Sequence, residues 1–249
     1  MLSKSQIGFI KSLHLKKFRK EHKLFVVEGL KSVSEFIHSE YIVKALYCTE
    51  NVLPKLVNLS EKISVNQISD TDLSRISMLS TSQNVLALVE LPDNRHSEPL
   101  NFSEKFTLAL DGIQDPGNLG TIIRTADWFG INQIICSEDT VEAYNPKVVQ
   151  ATMGSLSRTK IRYLDLGNAL NKCGVPIFGA VLNGTPINST NFGTEGIVVL
   201  GNEGNGISND VLKEINHAVT IPGSGQAESL NAAIASALFC YEIKRNILK

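Results

Sequence analysis

Three short segments carry the residues whose types and spacing could do chemistry. They are Asn118-Leu119-Gly120-Thr121-Ile122-Ile123-Arg124-Thr125-Ala126, Val199-Leu200-Gly201-Asn202-Glu203-Gly204-Asn205-Gly206-Ile207-Ser208, and Ile221-Pro222-Gly223 running on to Ser229-Leu230-Asn231-Ala232-Ala233. Each starts where an apolar, β-branched run stops and a helical pattern begins, which in an α/β domain is the carboxyl edge of the sheet, where ligand sites gather. Together they bring backbone N–H groups, a guanidinium, a carboxylate and a side-chain amide to one edge. That set suits a polyanionic, hydroxyl-bearing substrate beside a small-molecule cofactor.

Arg124 falls in a helical stretch that is otherwise Leu119, Ile122, Ile123, Ala126 and Phe129. A guanidinium there is expected to be paired or to hold a ligand, because an unpaired buried charge is costly. The second segment reads G-x-x-G-x-G, which is neither the dinucleotide fingerprint nor a P-loop, since no Gly-Lys-Ser/Thr follows. Glu203 inside that loop would repel phosphates, so the loop suits a cofactor without phosphates, or a cation. In the third segment Ser229 stands where a helix is expected to start and could serve as its N-cap. Asn231 follows within the same first turn. The small residues after it (Ala232, Ala233, Ala235, Ser236, Ala237) suit core packing or a subunit interface.

The elements that must position these segments read as strands at Thr107–Asp111, Gln133–Cys136, Lys160–Tyr163, Val175–Leu182, Ile197–Leu200 and Ala218–Ile221. Helices alternate with them at Leu119–Phe129, Pro146–Met153, Leu166–Cys173 and Asp210–Ile215, and a long one runs from about Ser229 to Leu248. Such alternation predicts a mostly parallel sheet covered on both faces. Before this module, residues 1–22 read as a basic helix. Leu24–Gly29 reads as a strand, Leu30–His38 as a helix, Ile42–Tyr47 and Val85–Leu91 as strands, and Asn51–Leu59 as helical. The polar, proline-bracketed stretch Pro92–Pro99 is the best linker. The division expected is therefore a small α/β domain over 1–91, a linker over 92–103 and a larger domain over 104–249.

Composition narrows the class. The net charge is −1, yet residues 1–31 carry eight basic side chains against two acids. A local excess of that size, centred on Lys16, Lys17, Arg19 and Lys20, suits a surface that tracks phosphates. Cys48, Cys136, Cys173 and Cys240 are scattered without a C-x-x-C pair, so neither a metal site nor a disulfide framework is expected. The start lacks a sustained apolar stretch, and no run approaches the ~20 residues that span a bilayer, so a cytoplasmic location with no membrane partner is expected.

At these residues the chain resembles the SpoU/TrmH family of RNA ribose 2′-O-methyltransferases, of the SPOUT superfamily. Its three motifs, N-x-G-x-x-x-R, G-x-E-x-x-G-x-S and I-P with S-L-N-x-x-x-A, correspond to Asn118/Gly120/Arg124, to Gly201/Glu203/Gly206/Ser208, and to Ile221-Pro222 with Ser229-Leu230-Asn231 and Ala235. Lys16-Lys17-Phe18-Arg19 followed by Phe25-Val26-Val27-Glu28-Gly29 is similar to the family's small RNA-binding domain. One departure is Gly223-Ser224-Gly225, where relatives often carry a larger residue. The resemblance implies a trefoil-knotted domain, one of the rare exceptions to unknotted connection. It implies S-adenosylmethionine cradled near Leu200, Gly201, Ile221, Leu230 and Asn231, and a homodimer with the active site close to its interface. It also implies that Arg124 handles the ribose hydroxyl and its phosphate. Asn118 and Ser229 would position ribose or phosphate, Glu203 would order the motif loops, and Asn231 would support the first loop and the cofactor. Ribosomal RNA and transfer RNA are both open as substrate, with ribosomal RNA ahead because of the appended N-terminal domain. A non-catalytic RNA-binding module would have no need of Arg124, Glu203 and Asn231 together, and a nucleotide-dependent oxidoreductase would need the fingerprint that is missing.

Overall fold

A computed structural model of the chain describes residues 1–57, 59–79, 81–92 and 99–247. In chain order its elements are α1 (Lys4–Ser12), α2 (Lys16–His22), β1 (Leu24–Glu28), α3 (Leu30–Ile37), β2 (Val43–Cys48), β3 (Ser64–Gln67), α4 (Asp70–Ile76) and β4 (Val85–Glu90). There follow β5 (Phe106–Leu110), α5 (Pro116–Trp128), β6 (Gln133–Cys136), α6 (Pro146–Thr152), β7 (Lys160–Tyr163), α7 (Leu166–Asn171) and β8 (Ile177–Pro186). The last four are β9 (Gly196–Leu200), α8 (Asn209–Leu212), β10 (His217–Thr220) and α9 (Ala232–Ile247). Two compact units result, Met1–Ser97 with Glu142–Ser157, and Glu98–Val141 with Arg158–Lys249. Residues 93–98 of the expected linker lie outside the described residues.

In the first unit the sheet runs β1-β4-β2-β3, antiparallel except for the parallel pair β2 and β3. One face packs Ile10 and Leu13 with Val26, Leu73, Ile76 and Leu86. The expected basic helix over 1–22 is two helices. The first opens with a capping box, in which the Gln6 N–H donates to Ser3 Oγ at 3.1 Å and the Ser3 N–H donates to Gln6 Oε1 at 2.9 Å. It closes at Leu13, where the Arg19 guanidinium meets the carbonyls at the helix end. Its Nη1 donates to the Leu13 carbonyl at 2.9 Å and to the His14 carbonyl at 2.8 Å. Of the helix expected over Asn51–Leu59, the described residues show a single 3-10 turn at Leu53–Lys55, with Pro54 inside it. The strand β3 and the helix α4, capped by Ser69 on the Asp72 N–H, were not expected.

Arg19 is the first correction to the expected site residues. Its side chain is 2% exposed and its Nη2 lies 2.6 Å from Glu142 Oε2. A guanidinium spent on two carbonyls and a half-buried carboxylate is not free to hold a phosphate. Glu142 begins the segment that was expected in the larger domain, and α6 within it packs on β1 in the first unit. Arg19→Ala would leave that carboxylate uncompensated, an effect of about 3–5 kcal/mol for buried pairs. Urea unfolding should show that loss, and Arg19→Met combined with Glu142→Leu should recover most of it.

The second unit is a six-stranded sheet ordered β10-β8-β9-β5-β6-β7, with every neighbour parallel. Its central strands β5, β6 and β9 are buried along their whole length, as a sheet covered on both faces requires. Ala109, Ile135, Ile197 and Val199 pack with Leu166, Leu170 and Val211 on one side. Alternation then sends Leu108, Leu110, Val198 and Leu200 to the other. Helices α5 and α9 pack on each other. Cys48, Cys136 and Cys240 are buried and all four cysteines are free. Burial pushes the Cys240 thiol up to about 12, so it stays protonated and unreactive at neutral pH. Among the described residues no helix is long and apolar enough to cross a membrane.

Candidate active site

The three segments meet at one amide. The helix α5 starts earlier than expected, at Pro116, because Asp115 caps it and accepts the Asn118 N–H at 2.8 Å. That places Asn118 in the first turn, half-buried at the carboxyl edge of the sheet. Asn118 Nδ2 donates to Glu203 Oε1, and Asn118 Oδ1 accepts from Asn231 Nδ2 at 2.9 Å. Glu203 comes from the loop after β9 and Asn231 from the start of α9, so residues 85 and 113 positions away in sequence converge on one side chain.

The loop carrying Glu203 is a tight hairpin. The Asn202 N–H donates to the Gly206 carbonyl at 3.0 Å and the Gly206 N–H returns to the Asn202 carbonyl at 2.9 Å. Asn202 Oδ1 accepts from the N–H groups of Gly204 and Asn205, while its Nδ2 donates to the Gly112 carbonyl at 2.8 Å. One strand end away, Asp111 is buried and its Oδ2 accepts the Ser208 N–H at 2.7 Å. Asp111 and Asn202 were not singled out as functional in the sequence. The signal available was an Asp or Asn directly after an apolar strand, a pattern that also marks ordinary turns. The Leu200 carbonyl is taken by the Asp111 N–H at 2.9 Å, while Gly201 at the strand end is half-buried.

Two expectations change here. Ser229 does not cap the last helix: α9 starts at Ala232, and Asn231 Oδ1 accepts the Ala233 N–H at 2.9 Å, so Asn231 precedes the helix as its cap. Ser229 and Leu230 lie exposed in the preceding segment, all of 222–231 being exposed, with Ile221 half-buried at its root. Arg124 is not on a buried face. Leu119, Ile122, Ile123 and Ala126 are buried, whereas Gly117, Thr121, Arg124 and Trp128 follow the i, i+4, i+7, i+11 spacing of one exposed stripe. Arg124 stands about 9 Å further along the axis of α5 than Asn118, at 1.5 Å per residue. The structure thus brings Asn118, Glu203 and Asn231 into one hydrogen-bonded chain and leaves Arg124 solvent-facing on the same helix.

The carboxyl-terminal residues 105–241 match the model of the SpoU rRNA Methylase family, and residues 4–87 match an MRM3-like substrate binding domain. The chain belongs to the SpoU rRNA methylase family. Among its relatives is 23S rRNA (guanosine(2553)-2'-O)-methyltransferase RlmP of Bacillus subtilis, 32% identical over 242 residues, covering 94% of each chain. Among solved structures, a Porphyromonas gingivalis protein assigned to the TrmH family of RNA methyltransferases is 40% identical, with a TM-score of 0.88 over 98% of this chain and 99% of the other. A Sinorhizobium meliloti rRNA methyltransferase with bound AdoMet is 28% identical, with a TM-score of 0.86 over 100% and 98%.

Proposed function

We propose that this chain transfers a methyl group from S-adenosylmethionine to a ribose 2′-hydroxyl of ribosomal RNA, in the cytoplasm. The observation that carries the reading is the Glu203–Asn118–Asn231 chain, which ties the loops after β9 and β10 to the start of α5. The edge fits the cofactor. A Cβ on Gly201 would overlap the Gly206 and Ile207 backbone, so only glycine lets the hairpin fold this close on the strand end. Glu203 would disfavour a phosphate but accept a cationic sulfonium compound nearby. Leu200, Gly201, Ile221, Leu230 and Asn231 are the residues proposed to hold it. The trefoil knot is part of the same proposal, supported by the meeting of those two loops at a single amide. Ribosomal rather than transfer RNA is favoured because RlmP is named for 23S rRNA.

When bound, S-adenosylmethionine supplies an electrophilic methyl group. The chain's own residues must align the hydroxyl and help remove its proton. Arg124 cannot be the base, since a guanidinium stays protonated at any working pH. It acts instead as a clamp that holds the phosphate and favours the ionised hydroxyl, with the proton passing to a phosphate oxygen or water. Asn118 and Ser229 position ribose or phosphate. Glu203 and Asn231 hold the loops around them. Lys16, Lys17 and Lys20, all exposed, supply phosphate contacts in the first unit. Titration calorimetry should find one S-adenosylmethionine site per subunit, indifferent to a metal chelator. Absence of heat on folded protein overturns the cofactor assignment, and mapping 2′-O-methylation in RNA from a deletion strain identifies the nucleotide.

The homodimer belongs to this proposal as well. Trp128 is 83% exposed at the end of α5, and Ile234, Leu238 and Tyr241 form an exposed apolar stripe along the neighbouring α9. Apolar side chains at such spacing on an outer helix face favour a partner of the same kind. Trp128→Glu with Leu238→Glu should halve the molar mass seen by light scattering. An unchanged mass would sink the placement of the interface.

A further inference from the structure

The outer surface of the first unit carries an aromatic feature that phosphate tracking by lysines does not use. Helix α2 is pinned by Arg19, whose guanidinium points inward. With Arg19 fixed, the 100° advance per residue sends Lys16, Lys17 and Lys20 along one flank, and Phe18 and His22 along the other, with Lys17 nearest to Phe18 across the outer side. The Phe18 and His22 rings are parallel within 10°, with centroids 6.3 Å apart. Phe9, packed against the core from α1, meets His22 edge-on at 5.0 Å and fixes its orientation from below. Rings at that separation overlap only in part, so ring face remains uncovered.

The outer face of Phe18 is reachable. Lys17 Nζ stands 5.8 Å from its ring centroid, a cation–π distance. An exposed lysine holds such a position weakly, since its amine trades little when it returns to water or to a phosphate. On the same helix and at its end, Lys16, Lys17, Lys20 and Lys23 are all exposed, with Glu21 as the one acid on the helix. A flat π-face bordered by the Lys17 amine, on a helix whose other flank is rich in lysine, matches a partner that is planar and polyanionic at once. Unpaired nucleotides have this character, with bases that stack and phosphates that follow the lysines.

We propose that Phe18 and His22 form a stacking platform for an unpaired nucleobase of the RNA, with the flanking phosphates on Lys16, Lys17, Lys20 and Lys23. The base displaces the Lys17 amine from the Phe18 face, and that amine turns to a phosphate. This rests on the RNA-modifying reading above and extends it by naming single-stranded RNA as what the first unit grips.

The test uses the full-length chain with a short oligouridylate and with a blunt duplex of equal length, across a salt series. Phe18→Leu keeps the volume and removes the π-face. It should weaken oligouridylate binding by roughly 5- to 150-fold, the range for one lost base stack, with the salt slope unchanged. Lys20→Gln should instead lower that slope by about 0.7, the value per contact for single strands. Phe18→Trp should restore affinity and add tryptophan emission that the oligonucleotide quenches beyond any response of Trp128 in the parent. An unchanged urea-unfolding transition in all three variants verifies that they are folded. Equal affinity of parent and Phe18→Leu, or tighter binding of the duplex than of the single strand, overturns the platform. If the parent transfers methyl groups to RNA while these results go against the platform, the proposed function stands without it. A parent that binds neither S-adenosylmethionine nor RNA overturns both.

Discussion

Replacing Arg124 with alanine is expected to lower methyl transfer by roughly 100- to 1,000-fold or more, the scale seen when one preorganised donor is removed from a developing anion. S-adenosylmethionine affinity should stay within a few-fold. The split follows from placement. Arg124 lies two helical turns beyond Asn118 on an exposed stripe, while the loops proposed to hold the cofactor close on Asn118 itself. Arg124→Lys should also be poor, because an ammonium cannot replace a planar fork that holds a phosphate and a hydroxyl together. Single-turnover transfer of the methyl group to RNA, measured alongside calorimetry, separates the two effects. Robust transfer by the alanine variant would remove the clamp. Exposure sharpens this expectation. A buried Arg124 would also have been structural, and its loss would have cost stability; an exposed one should leave the unfolding midpoint nearly unchanged.

The core strands of the second unit were readable because they are short apolar runs stopped by turn residues. Gln133–Cys136 and Lys160–Tyr163 agree with the structure, and the others differ by a few residues at their ends. Strand β8 runs on to Pro186, past the apolar part, because its far half pairs with β10 across an irregular register. What could not be read was long-range. Charge counting sees eight basic residues near the start but not which of them turns inward, and Arg19 is buried by a glutamate 123 positions away. The segment 142–157 has the helical pattern expected of it, yet its burial partner is β1, and no local pattern names a partner. The site residues Asn118, Glu203 and Asn231 were legible through family motifs rather than through their chemistry. Their hydrogen bonding exists only once three strand ends are aligned. Ser229 was misplaced as a cap because Asn231, an equally good cap two residues later, wins that role.

The glycines of the second motif should separate by mechanism, and Gly201→Ala should have the largest effect of the three. A Cβ at Gly201 would overlap the backbone of Gly206 and Ile207, which has no flexible end that could swing away. Relief requires opening the paired hydrogen bonds between Asn202 and Gly206, and with them the geometry that presents Glu203 to Asn118. S-adenosylmethionine binding should therefore fall by about 100-fold or beyond detection, since an overlap with backbone that cannot yield is among the mechanisms that produce severe effects. Gly206 poses a different problem. Nothing lies near its missing Cβ, but its φ is +69°, so alanine there meets only the strain of the left-handed region, on the order of 1–2 kcal/mol. Gly204 has neither constraint, with Asn202 Oδ1 at an ordinary 3.5 Å. Calorimetry on the three alanine variants should rank the losses Gly201 over Gly206 over Gly204, the last staying within a few-fold of the parent. If Gly204→Ala lost as much affinity as Gly201→Ala, the cofactor would be touching the tip of the hairpin rather than its base, and the cradle proposed at the end of β9 would have to move outward.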